Sequence, residues 1–210
     1  MIRRNLLDAA QLSNKPSFRR RLSYLYLVLF AVGTLTTNVL WRQGGVSPSD
    51  NFIEFFYLLV AVIVLSSIDV RLERGRLNLA SIALGTTAIL LNPIDATLVG
   101  LALGISMARR GLWPLLGNSV MAASYECFGA LMATHFRVGE TLTLGPRILV
   151  LVVVNIAGWI LIAIGISLRT GESISSIVRH NFTPAFYAAY AYFALAALLT
   201  SYVLDGSLLG

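Results

Sequence analysis

Residues 77–110 read LNLASIALGTTAILLNPIDATLVGLALGISMARR. Two uncharged apolar runs, Leu79–Leu91 and Ala96–Ala108, flank the polar break Asn92-Pro93-Ile94-Asp95. Each run has 13 residues. At a helical rise of about 1.5 Å per residue such a run spans ~20 Å, against a hydrocarbon core of about 30 Å. Irregular backbone at membrane depth is tolerated where protein buries it or where it lines a cavity. The stretch therefore predicts either two short spans or a re-entrant hairpin.

The flanking sequence carries the same signature at fuller length. Leu22–Trp41 is a first span, preceded by Arg19-Arg20-Arg21. It is longer than a signal-peptide core and lacks a small-x-small cleavage site, so it reads as an uncleaved anchor. Asn51–Val70, Leu112–Phe136, Arg147–Leu168 and Ala185–Leu204 follow as further spans. Ser173–His180 fits a short interfacial helix, and Met1–Ser13 a surface amphipathic helix ended by Asn14-Lys15-Pro16. The expected fold class is all-α, a polytopic membrane helical bundle of about seven segments. Residues 1–21 form a basic cytoplasmic segment, and 22–210 a single transmembrane domain.

Composition agrees. Of 210 residues, 57% are hydrophobic and 12% charged, where a soluble domain carries about 25% charged residues. Mean hydropathy is +0.77. The net charge of +6 does not point to nucleic acid, because the cations cluster at the ends of apolar runs, as topology determinants do. With the N-terminus inside, 13 of the 16 Lys and Arg residues fall on the cytoplasmic side, and only Arg42, Arg137 and Arg147 outside. This predicts an external C-terminus, with both ends of residues 77–110 on the cytoplasmic side.

No catalytic constellation is visible, and the chain is expected to be no enzyme. His135, His180 and the lone Cys127 do not make a metal-ligand spacing. There is no phosphate-binding loop and no nucleophile elbow. Gly100 and Gly104 make a small-residue face suited to close helix packing. Near the cytoplasmic boundary, Asp69 is expected to pair with Arg71, and Glu73 with Arg74 or Arg76.

Ionisable and amide side chains at membrane depth are costly and face cavities or partners. Glu126 lies fourteen residues into the span that starts at Leu112, close to the midplane. Asn155 reaches a similar depth in the next span. Asn38, Asn92, Asp95 and His135 lie further out. Together they are candidates to line a polar cavity open to the exterior, with Glu126 at its floor, for a small polar or cationic ligand. The competing reading is a Glu126 hydrogen-bonded to its neighbours. A second candidate is the aromatic stripe Phe182, Phe186, Tyr190 and Phe193, either a packing face or a contact for a pigment, quinone or lipid.

The run from Leu77 to Leu131, with its paired short apolar segments, Arg109-Arg110, Trp113-Pro114 and Asn118, resembles the membrane sensor region of bacterial HD-GYP- and GGDEF-type cyclic-di-GMP signalling proteins. The resemblance extends from Arg71 to Gly210. It implies a bacterial inner-membrane protein that senses a ligand and signals through cytoplasmic loops or a partner protein. No HD-GYP or GGDEF motif is present, and the predicted external C-terminus is a further departure. The same stretch also resembles, more distantly, the substrate-binding S components of vitamin transporters. An accessory subunit of a larger membrane complex is the third class of function left open. The cofactor is left unassigned.

Overall fold

The computed structural model describes residues 2–44, 52–72, 75–108, 111–139, 142–181 and 183–206, with side chains described from residue 18 onward except 69–77. In chain order the elements are α1 Ile2–Gln43, α2 Phe52–Leu65, β1 Asp69–Leu72, β2 Gly75–Asn78, α3 Ala80–Leu90, α4 Pro93–Met107, α5 Leu112–Phe136, α6 Leu144–Thr170, α7 Ile174–Asn181 and α8 Pro184–Leu204. Three helices are long and apolar enough to cross a membrane: the Phe18–Gln43 part of α1, α6 and α8. Their outward faces carry exposed large apolar side chains, among them Leu25, Val28, Leu29, Ile160, Leu195 and Leu199. An apolar surface of this extent fits a bilayer rather than water.

Several boundaries differ from the sequence reading. α1 runs unbroken through Asn14-Lys15-Pro16. Proline removes one backbone donor and bends a helix without obliging it to stop. The expected amphipathic face of Met1–Ser13 lies outside the described side chains. The second segment is helical for only 14 residues and stops well short of Val70. Ser66 and Ser67 turn their hydroxyls onto the Ile63 and Val64 carbonyls, at 2.7 and 2.6 Å. Asn78 Nδ2 donates to the Ser66 carbonyl at 2.8 Å.

Between α2 and α3 the chain forms an antiparallel ribbon, with Asp69 opposite Asn78 and Val70 opposite Leu77. The alternation of Val70 and Leu72 with Arg71 is a period-two pattern, and the ribbon departs from the all-helical reading. The ion pairs expected there (Asp69 with Arg71, Glu73 with Arg74 or Arg76) lie outside the described side chains.

The broken segment is the hidden centre of the bundle. Asn78 Oδ1 accepts from the Ala80 N–H at 2.7 Å and starts α3. Residues Ala83–Ile89 are buried without interruption, so α3 is enclosed all round. It belongs to two apolar clusters, one with Leu58, Val62, Val99 and Ala130, the other with Ala133, Val150, Val154 and Ala197. Its buried Thr86 and Thr87 hydroxyls donate back to the Ile82 and Ala83 carbonyls, both at 2.9 Å, which is how a helix carries hydroxyls in an apolar setting.

α3 stops where Pro93 disfavours helix at the preceding residue. Asn92 then caps α4, its Oδ1 accepting from the Ile94 and Asp95 N–H groups at 3.0 Å each. α4 packs against α5 through small residues. A Cβ added at Gly100 would lie 2.7 Å from the Ala123 backbone.

Two arginines finish the end of the bundle that holds the Asn92 turn. Arg137 Nη2 donates to the Ile89 and Leu90 carbonyls at 3.0 and 3.3 Å, which satisfies the end of α3. Arg147, buried, donates to the Leu142 carbonyl at 2.7 Å and to Ser201 at 2.8 Å, and pairs with Asp205. At the opposite end Arg19 donates to the Thr170 carbonyl at 3.3 Å. There Gly171 ends α6 at φ 80°, a left-handed conformation that glycine adopts without a Cβ clash.

Candidate functional site

Polar residues inside an apolar bundle divide into those that structure satisfies locally and those that it leaves facing a space. Asn38 is of the first kind. Its Nδ2 donates to the Thr34 carbonyl and to Thr97 Oγ1, both at 2.9 Å, tying α1 to α4. Asn92 and Asp95 are also of this kind, since the Asn92 side chain caps α4 and donates to Asp95 Oδ2 at 2.8 Å. His135 is exposed and lies edge-on to Phe136, with ring centroids 5.3 Å apart. These four residues do not line the space that Glu126 faces.

Glu126 is of the second kind. It is 0% exposed, and neither carboxyl oxygen has a hydrogen-bond partner among the described residues. It borders a narrow lobe of about 40 Å³ with Asn155, Ser81, Tyr125, Trp159 and Tyr190. Asn155 donates one amide N–H to the Leu151 carbonyl at 2.7 Å, which leaves its second N–H and its oxygen. Glu126 and Asn155 come from α5 and α6, and the fold brings them to one place.

Beside the lobe lies a chamber of about 290 Å³ that shares Ser81, Leu84, Tyr125, Trp159, Ile162 and Tyr190 with it. The chamber extends to Asn78, Asn118 and Asn181, at the end of the bundle where the ribbon and α7 lie. This is opposite to the end holding the Asn92 turn, Arg137 and Arg147. Of the residues expected to line one cavity, Glu126 and Asn155 share this space and Asn38, Asn92, Asp95 and His135 do not.

Small residues make the space. Gly158 on α6 lies under the Tyr125 ring, 3.5 Å from where a Cβ would stand. The aromatic stripe supplies one wall. Trp159 stands edge-on to Tyr190, with centroids 4.9 Å apart, and 5.4 Å from Phe186. Phe186 and Tyr190 are 4.6 Å apart, and Phe193 follows at 6.2 Å from Tyr190. Phe182 lies outside the described residues. Ser81, Trp159 and Tyr190 border the same lobe. Trp159 and Ser81 were not singled out from sequence, whereas Tyr125 stood only as a neighbour of Glu126. Trp159 lies ten residues from Arg169, the nearer basic residue of its helix, and that depth was the available signal, since interfacial anchors sit closer to the ends.

A larger groove of about 580 Å³ lies between α1, α5 and α6, lined mainly by apolar side chains around the 2.9 Å hydrogen bond of Thr34 with Ser124. It contains no ionisable carboxyl or amine, so size alone does not make it the site. Among the described residues no three His, Cys, Asp or Glu side chains converge as metal ligands.

No protein-family model matches this chain, and no curated protein or solved structure matches it. The functional reading therefore rests on the chamber itself.

Proposed function

We propose that the chain is a non-catalytic, multi-pass membrane protein that binds a small ligand in the Glu126 chamber and reports its occupancy on the cytoplasmic side. One observation carries this reading: a fully buried carboxyl group with no hydrogen-bond partner among the described residues, in a lobe beside a chamber. A buried polar group left unpaired costs about 1–3 kcal/mol, and a fold that needed only packing would place an apolar residue there.

In this proposal the helices cross a bacterial inner membrane in about seven segments, with the N-terminus cytoplasmic and the C-terminus external. The segments α3 and α4 are then two short crossings joined at the outer side by Asn92-Pro93-Ile94-Asp95. The chamber opens toward the cytoplasm, next to the ribbon and α7. Those two elements are the natural reporters, because they contribute Asn78, Ile177 and Asn181 to the chamber wall. The resemblance to cyclic-di-GMP sensor regions supports the same assignment.

The test is mass spectrometry of small molecules released on denaturing the purified protein, with wild type compared with Glu126→Gln. A compound present in wild type and lost from the variant supports the proposal. Identical release profiles sink it. Hydrogen exchange supplies the signalling half: the captured compound should change protection at residues 69–78 and 171–181, and unchanged exchange there removes the sensory reading.

A further inference from the structure

The lobe beside the chamber has a definite chemical bias. Both Glu126 carboxyl oxygens lack a hydrogen-bond partner among the described residues, and the Asn155 amide borders the same space together with the Ser81, Tyr125 and Tyr190 hydroxyls and the Trp159 indole. The walls around them are aromatic, from Tyr125, Trp159 and Tyr190. Aromatic faces attract cations, by more when water is excluded. An ammonium has three donors and no acceptor, so it suits the two unpartnered carboxyl oxygens of Glu126, where a carboxylate or phosphate would meet repulsion. The lobe is narrow, about 40 Å³, enough for a head group the size of a water molecule or slightly larger. The adjoining chamber of about 290 Å³ is lined by Leu84, Leu103, Met107, Ile162, Ile166 and other apolar side chains, and suits a hydrocarbon or aromatic body.

We infer that the chamber takes a primary organic ammonium with an apolar body, its head group seated against Glu126 and Asn155 within the Tyr125, Trp159 and Tyr190 walls. This inference rests on the proposed binding role of the chamber and specifies the ligand class. Glu126 supplies the charge, Asn155 an amide oxygen, and the rings the cation-attracting surface.

The experiment uses the full chain in nanodiscs and three probes of similar shape: 2-phenylethylammonium, neutral 2-phenylethanol and anionic 3-phenylpropionate. Calorimetric titration should show the ammonium binding at least about 10-fold tighter than the alcohol, with no binding of the carboxylate; a charge-assisted contact exceeds a neutral one by roughly this factor or more. Glu126→Gln should abolish the preference, and Trp159→Leu should weaken the ammonium about 3- to 10-fold while leaving the alcohol within twofold. The wild-type comparison needs no variant to fold. Alcohol binding as tight as ammonium binding, or no ammonium binding, overturns the inference. A neutral molecule found in the mass-spectrometric test would keep the chamber as a binding site and remove the cationic ligand, so the two failures are distinguishable.

Discussion

Arg147 and Asp205, 58 residues apart in sequence, form an ion pair that locks the start of α6 to the end of α8. Arg147 is 2% exposed and Asp205 26%. The guanidinium also donates to the Leu142 carbonyl and to Ser201, and lies 4.0 Å from the Tyr202 ring centroid. Asp205→Asn removes the counter-charge but keeps those neighbours. The expected loss of stability is about 1–3 kcal/mol, the range for a charge-assisted contact. Arg147→Ala removes the charge, three hydrogen bonds and the ring contact together and should cost more. Chemical unfolding in detergent distinguishes the two, and equal midpoints for wild type and Asp205→Asn would show the pair to be dispensable.

Gly100 faces α5 so closely that a Cβ would meet the Ala123 backbone at 2.7 Å. Backbone cannot rotate away, so Gly100→Ala must part the helices. The expected cost is about 1–3 kcal/mol, as for overpacking a filled core. Gly33, which has nothing within 4 Å of such a Cβ, is the control. Gly33→Ala should leave stability unchanged or raise it by a few tenths of a kcal/mol. Similar losses at both positions would mean that helix propensity, not close approach, governs Gly100.

Asn92 is the cap of α4 and the partner of Asp95. Asn92→Ala should destabilise by about 0.5–2 kcal/mol, and Asn92→Ser should recover part of this, because serine is also a good N-cap. If Asn92 instead contacts the ligand, Asn92→Ala would change ligand affinity more than stability. The chamber lining predicts the opposite, with affinity unchanged.

Glu126 has no partner to lose. Glu126→Met, close in volume and apolar, should therefore raise stability by about 1–3 kcal/mol while eliminating ligand capture. Unfolding of the ligand-free protein reads the first effect and the mass-spectrometric comparison reads the second. A destabilised variant would reveal a stabilising role for the carboxyl and weaken the case for a binding site.

The orientation is tested with thiols. Cys127 is buried and the one cysteine in the chain, so it should resist a membrane-impermeant maleimide. In a Cys127→Ala background, a cysteine introduced at Gly139 should label from outside in intact cells, and one at Ser175 only after permeabilisation. The reverse pattern would invert the proposed topology and place the chamber mouth outside.

Hydrophobic run lengths, the polar break at Asn92-Pro93-Ile94-Asp95 and the clustering of arginines were all readable along the chain. They located α3, α4, α5, α6, α7 and α8 to within a few residues, because bilayer thickness and backbone hydrogen bonding act on local sequence; α1 starts about twenty residues before the expected Leu22. The end of α2 at Leu65 was not readable in this way. It depends on Asn78, which reaches back across the ribbon to the Ser66 carbonyl. Glu126 and Asn155 stood out by sequence as costly groups at depth. Their meeting in one lobe, the Trp159 and Tyr190 walls, and the direction of the chamber depend on how helices rotate about their axes. Apolar sequences constrain that rotation weakly, since Leu, Val and Ala satisfy lipid and protein neighbours alike. Sequence alone thus determined a membrane-length helical chain with one anomalous buried carboxyl, Glu126. Tertiary packing through Gly100, Gly158 and the enclosed α3 decided which acceptors and rings surround it, because side chains on separate helices converge only once the helix faces are set.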